Sequence, residues 1–420
     1  MITTASLLGL PGAGIPLRVL GPDHAGRVTV TRAGTAMAQD ASGTWQAAAA
    51  DTPRFHGTAR RMLVEAARTN SFRNPRCEGA VAGTLGSGGV LPANWSTLGP
   101  PATARTIVEI GTEDGIPYVD LRLQGTGAGG IWVLCAEPTM QVAASPTQDW
   151  TTSVYARIVS GSTSGLNLGV TTRYRNSFGG HVGSSTNPLA LGGARLGAQR
   201  SVSSFPNAPA NTAFVTGGVQ VTEISGTAID VTLRIGVPQL EMGEVATSPI
   251  LPAAGAPAAA SRAADAPVWS PAGGFGTAGT LVIDAMLPNS AVFGVNQGLL
   301  QIDDGTDANR LLIRNTSGGS EIFGVVDSGG ATLAALPGGS MTPGMPFRAA
   351  LAWAPGEVAF CLNGGAVQSA AVTPPAGLVR MLVGHASTAL NRAANGEVAL
   401  IDHRPLRLPN ALLQAASAAG

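Results

Sequence analysis

Lysine is missing from this chain. All 25 basic residues are arginine, and 25 acidic residues balance them to a formal net charge of zero. Arginine used throughout in place of lysine, beside abundant alanine, reads as the codon bias of a GC-rich genome. No basic block exists either. A phosphate-binding surface needs clustered cations, so nucleic acid is not an expected partner. Cysteine is scarce: Cys77, Cys135 and Cys361 stand far apart, odd in number and without CxxC spacing, and read as buried free thiols. No apolar run reaches the roughly 18 residues of a membrane helix. The opening MITTASLLGLPGAGIP has no basic start, and Pro11 and Pro16 interrupt it, so it does not read as a signal peptide. The chain is expected to fold in the cytoplasm. Catalytic signatures are missing too. There is no G-x-S-x-G elbow. The glycines of Gly86–Gly89 precede neither lysine nor a helix start, so they form no phosphate cradle. His24, His56, His181, His385 and His403 show neither triad nor metal spacing.

Glycine and proline are what the chain has in quantity, 57 and 29 residues, and with 44% hydrophobic residues they argue against wholesale disorder. Short apolar runs punctuated by Gly, Pro, Ser and Thr predict many short strands. The fold class expected is all-β: two β-sandwich (jelly-roll) domains in tandem behind an N-terminal strap. The strap spans residues 1–70, with an alternating edge strand at Arg27–Thr35. Residues 71–250 form the first sandwich. Its strands are expected at Thr106–Ile110, Pro117–Leu123, Gly130–Cys135, Trp150–Val159, Asn167–Tyr174, Asn211–Glu223 and Ala228–Ile235, spaced as in a jelly roll. A short separate strand, Pro238–Met242, opens the joint between the domains. The linker, 251–268, has Pro252 and Pro257 and little side chain to bury. Residues 269–420 form the second sandwich. Asp304–Gly305 and Asn363–Gly364 mark hairpin turns there, and a short helix near Pro409 and Asn410 turns Leu412 and Leu413 inward.

Several strings carry a resemblance. Arg32-Ala-Gly-Thr-Ala36, Asp40 with Gly43, Pro53-Arg-Phe55 and Leu63-Val-Glu-Ala-Ala-Arg-Thr-Asn70 occur in the order found in the N-terminal straps of phage tail-fibre, tailspike and minor structural proteins. Phe72–Gly79 with the PANWS string at Pro92–Ser96 resembles the opening of carbohydrate-binding-module-like jelly rolls in the same virion proteins. Pro238-Gln-Leu-Glu-Met242 with Ala246-Thr-Ser-Pro249 resembles their closing motif, with Pro249 where tyrosine is usual. Asp303-Asp-Gly-Thr-Asp-Ala-Asn-Arg-Leu-Leu-Ile313 resembles a hairpin of concanavalin A-like (laminin-G-like) domains in phage fibres. The resemblance implies a fibre or head-spike subunit of a phage or gene transfer agent. It would be assembled in the bacterial cytoplasm, held to other virion proteins through the strap, and homo-oligomeric, with a trimer favoured over a pentamer.

Candidate chemistry is sparse. Asp303, Asp304 and Asp307 could supply oxygen ligands to Ca²⁺ from one loop. The competing reading is a polar hairpin whose side chains cap the backbone. Glu109, Glu113, Asp114 and Asp120 are the nearest thing to a hydrolase cluster, which needs two carboxyls facing one bond about 5 Å apart, but no Glu-x-Asp-x-x-Glu string occurs. Sugar sites pair an aromatic platform with polar side chains. Trp95 and the string Arg173-Tyr174-Arg175-Asn176 are the pieces chosen here, Tyr174 as the exposed ring. Core packing competes for every tryptophan. The function expected is adhesion to host cell-surface polysaccharide without catalysis. A capsule depolymerase and a ligand-free structural or decoration protein are the alternatives.

Overall fold

The computed structural model describes residues 16–418; most of the opening apolar stretch, residues 1–15, lies outside it. The chain is all-β and divides into two compact units. One comprises residues 16–42, 47–67 and 263–418, and the other residues 43–46 and 68–262.

The second of these is a two-sheet sandwich. A seven-stranded sheet runs in the order Arg200–Phe205, Trp150–Ser162, Ala228–Met242, Ile116–Thr126, Ala104–Glu113, Gly83–Leu85, Gly88–Gly89. Its partner runs Ser96–Leu98, Ile131–Cys135, Phe214–Glu223, Leu166–Arg175, His181–Pro188, with Val142–Ala143 also on Phe214–Glu223. Alternate residues meet between them: Val119, Leu121 and Leu123 from one sheet, and Val170, Tyr174, Val219 and Val221 from the other.

The strand Ala228–Met242 corrects the expectation of a separate strand at Pro238. Ile229, Val231, Leu233 and Ile235 face the core, and then Leu240 does, so the odd-numbered phase becomes even. The switch is a bulge: Gly236 pairs with Tyr155 but Gln239 with Ser153, leaving Val237 and Pro238 opposite one residue. Val237 takes a φ of 42° there. A bulge is where a strand tolerates proline. Asn70, fully buried, serves the irregular backbone. Its amide nitrogen donates to the carbonyls of Pro238 (3.2 Å) and Ile250 (3.3 Å), and its oxygen accepts from Leu240 N (3.0 Å) and Phe72 N (3.1 Å). Gln239 and Glu241, on the other face, share a buried network with Thr247 and Ser248, to which Arg262 also donates.

The other unit has an eight-stranded sheet in the order Gln368–Ala370, Glu357–Leu362, Phe347–Ala354, Gly279–Met286, Gly396–Arg404, Arg61–Val64, Phe55–His56, with Leu17–Leu20 also on Gly396–Arg404. The opposing seven strands are Thr29–Thr31, Ala266–Trp269, Arg380–Val383, Gln297–Asp303, Arg310–Asn315, Glu321–Ser328 and Ala331–Ser340. Strands from within residues 1–70 are thus built into both sheets. Phe347, Ala349, Leu351 and Trp353 point into the core, while Ala350 and Ala352 point outward with Ala359 and Cys361. Those small side chains leave room for the helix Asn410–Ser417, whose Leu413 and Ala416 pack on them. Asn363 and Gly364 both take positive φ (49° and 70°), as a type I′ turn requires.

Arg32, Arg54 and Glu65, each from one of the resembling strings, meet Asp265 inside this unit. Asp265 accepts from Arg32 at 2.8 Å, from both Nε and Nη2 of Arg54, and from the Glu65 N–H at 2.9 Å. Arg54 also pairs with Glu65 at 2.8 Å. All four side chains are buried. The strings that look most like signatures are therefore interior joints.

Candidate functional site

The strand Leu166–Arg175 presents two faces. Leu168, Val170 and Tyr174 turn inward. Thr171, Arg173 and Arg175, at the alternate positions, turn away from the core. The neighbouring strand Phe214–Glu223 sends Thr216 and Gln220 to the same outer face, and His181–Pro188 sends Ser184 and Thr186. The result is a polar surface. Arg175, Thr216 and Cys135 are its buried floor, Arg173 and Gln220 are half-buried, and Ser184, Thr186 and His181 stand exposed.

Arg173 Nη1 donates to Gln220 Oε1 at 3.1 Å, and Thr186 reaches the same oxygen at 3.5 Å. Arg175 Nη1 donates to the Gly179 carbonyl. That bond ties the floor to the loop 176–180. Asn176 closes the loop: its Oδ1 accepts from Phe178 N (3.0 Å) and Gly180 N (2.8 Å). At its tip Phe178 is 93% exposed. A side chain added at Gly179 would sit 3.0 Å from the sulfur of Met140, itself exposed, so Met140 lies along the loop. Burial lowers the Arg173 pKa, and repulsion from Arg175 adds to it. Desolvation, then Arg173 and Arg175, lower His181 likewise. Burial raises the Cys135 thiol to about 11, which keeps it protonated. The face can hold hydroxyls through amide and hydroxyl groups, and anions through two guanidinium forks.

The residues chosen from sequence separate. Arg173 and Arg175 come together. Tyr174 does not join them: its ring is fully buried against Phe205, with centroids 4.8 Å apart, and its hydroxyl donates to the Phe205 carbonyl at 2.6 Å. Expecting Tyr174 to be an exposed ring is thereby corrected, because strand alternation sends it opposite the arginines. Trp95 is a core residue as well, with Nε1 donating to the Asn74 carbonyl at 3.1 Å. Asn176 spends its side-chain oxygen on the loop. All six tryptophans and all three tyrosines are buried. Phe178, Gln220, Thr216 and Thr186 are what the sequence reading missed; alternation along Phe214–Glu223 already places Thr216 and Gln220 on one face. Tyr174→Phe is expected to cost about 1 kcal/mol of stability and to leave ligand binding unchanged. A denaturation curve beside a binding isotherm checks this, and lost binding without lost stability would contradict it.

The three aspartates do not converge. Asp303 is fully buried and accepts from Arg380 (2.6 Å), Gln301 (2.9 Å) and the Gly305 N–H (2.8 Å). Asp304 accepts from Thr306 and Asn309. Asp307 accepts from Gln301, Ser387 and the Thr388 N–H. Their oxygens cap a polar turn, and among the described residues no group of three His, Cys, Asp or Glu side chains is placed to hold a metal. The acidic cluster is likewise engaged. Burial pushes the Glu113 carboxyl up, but bonds from Arg157, the Leu196 N–H and Arg234 outweigh it and hold it at about 2. Arg234 also grips Asp120 and lies 3.6 Å from the Tyr118 ring centroid. Such a carboxylate cannot act as a general acid near neutral pH.

No family model matches the chain, and no curated protein matches it. Among solved structures it is similar to the CBM40 of Ruminococcus gnavus IT-sialidase bound to alpha2,3 sialyllactose, at 14% identity and a TM-score of 0.29 over 34% of this chain and 83% of that one. It is similar to the CBM22-1-CBM22-2 tandem domain of Paenibacillus barcinonensis Xyn10C, at 12% identity and a TM-score of 0.26 over 80% and 97% of the two chains. Domains LG4-5 of the mouse laminin alpha1 chain match at 10% identity and a TM-score of 0.24, over 66% and 84%. Scores this low carry no functional weight.

Proposed function

We propose that this chain is a non-catalytic, glycan-binding subunit of a phage-like particle and that it holds host cell-surface polysaccharide. The observation that carries the binding role is the outer face around Arg173, Gln220 and Thr186, where guanidinium, amide and hydroxyl groups lie together on one sheet face. Saccharide sites are built from such hydrogen-bonding groups. The particle assignment rests on the order of the sequence motifs. In such a particle several copies would act together, so that weak single sites sum to firm attachment. The held-down Glu113 and the arginine-bound Asp120 speak against the depolymerase alternative at that cluster.

Full-length protein incubated with encapsulated cells and with cells stripped of capsule and O-antigen tests this reading. Binding is expected to vanish on the stripped cells, with no oligosaccharide released to the supernatant. Released reducing ends would replace adhesion by hydrolysis. Equal binding to both kinds of cell, or none, would sink the glycan role and leave the ligand-free structural one.

A further inference from the structure

Most arginines of this chain are neutralised. Arg32, Arg54, Arg73, Arg157, Arg234 and Arg310 each reach a carboxylate within ion-pair distance. Arg173 and Arg175 are not among these. Among the described residues, neither has an acidic partner, although they stand two positions apart on one face, about 7 Å along the strand. Arg173 meets only the neutral Gln220, and Arg175 only the neutral carbonyl of Gly179. The Nε of each is buried without an acceptor. Arg175 is 8% exposed, and the Thr216 hydroxyl, fully buried on the same floor, lies against the Cys135 thiol with no oxygen or nitrogen partner. Two like charges held on one face ask for a counter-charge.

A carboxylate answers the missing counter-charge. It has two oxygens in the plane a guanidinium fork matches. Gln220, Ser184 and Thr186 would meet the hydroxyls of the ring that bears it. We propose that Arg173 and Arg175 form a receptor for a carboxylate carried on a sugar, so that the polysaccharide bound at this face is an acidic one. The inference rests on the glycan-binding reading and narrows it to a class. A uronic acid and a sialic acid both carry this group.

Full-length protein in affinity electrophoresis against four polymers separates the outcomes: a polyuronate, the same polyuronate with its carboxyls reduced to alcohols, a polysialate, and double-stranded DNA. Retention is expected with one or both of the first and third, and to fall at least tenfold on carboxyl reduction. Which acid retains the protein identifies the source of the carboxylate. Arg173→Gln, at a half-exposed position that should fold normally, is expected to weaken retention at least fivefold. Arg173→Lys, which keeps the charge and loses the fork, should recover only part of it. Equal retention by the polyuronate and its reduced form would overturn the acid class and leave the glycan reading standing. No retention by any polymer, with no binding to encapsulated cells, would take both down. Retention by DNA as strong as by the acidic polymers would show a general anion site and overturn the inference. Unchanged retention of the acidic polymer by Arg173→Gln would overturn the location.

Discussion

Asp265→Ala is expected to lose about 3–5 kcal/mol of stability, the cost of leaving buried charge unpaired. The carboxylate is 2% exposed and the Arg32 and Arg54 side chains are 0% exposed, so no water can replace it. Burial alone would depress the charge on Arg54; Glu65 and Asp265 outweigh burial and raise its pKa. With Asp265 gone, Arg54 keeps Glu65, but among the described residues Arg32 keeps only backbone carbonyls, those of Gly34, Ala48, Ala49 and Thr52. The Glu65 N–H loses its acceptor too. Asp265→Asn, which keeps the shape and removes the charge, should cost nearly as much. The control is Asp230→Ala. Asp230 pairs with Arg122 at 2.7 Å, but both side chains are about half exposed (54% and 41%), so water replaces the lost partner and the midpoint should barely move. Urea midpoints of the three variants decide the matter. A loss below about 1 kcal/mol for Asp265→Ala would show that the cluster is not what holds these strands together.

Acid should weaken the same unit through His403. The ring lies between aromatic neighbours: stacked on Trp353 with centroids 6.1 Å apart, and edge-on to Trp269 at 5.7 Å and Phe275 at 5.4 Å. Its Nε2 is buried without a partner. Burial pulls its pKa down to about 4. The folded pKa lies below the unfolded value of about 6.5, so the unfolded chain takes up the proton first as pH falls. The stabilisation is therefore complete above about pH 6.5 and is lost progressively down to about pH 4. At about 1.4 kcal/mol per pH unit the loss is on the order of 3 kcal/mol. Burial lowers His385 and His56 as well, with the same sign. His403→Phe keeps an aromatic ring in the slot and should flatten the fall in urea midpoint between about pH 6.5 and about pH 4.5. Carboxylates titrate equally in both proteins, so the difference between the two slopes isolates the histidine. Parallel slopes would refute the assignment.

The strand periods were legible in the amino-acid order, and so were the Asp-Gly and Asn-Gly turns and the terminal helix with its inward Leu413. The break at Pro238 was misread because a bulge changes which residues face the core. An alternating pattern that shifts phase looks, in one dimension, like two strands. Arg173-Tyr174-Arg175-Asn176 was misread for the converse reason. Four adjacent residues look like one site, but in a strand neighbours point to opposite faces. Here Tyr174 fills the core, the arginines take the outside, and Asn176 closes a loop.

The sequence by itself determined that this protein is all-β and that arginine supplies every permanently charged basic side chain. Local chemistry suffices for those points: alternation sets strand faces, and glycine, proline and asparagine set turns. Only the tertiary structure decided which charges are paired. Arg32 finds Asp265 across 233 positions and Arg234 finds Asp120 across 114, whereas Arg173 and Arg175 find no acid among the described residues. Ion pairing depends on distances of a few ångströms between segments far apart in the chain, and strand order in the sheets, not residue order, sets those distances.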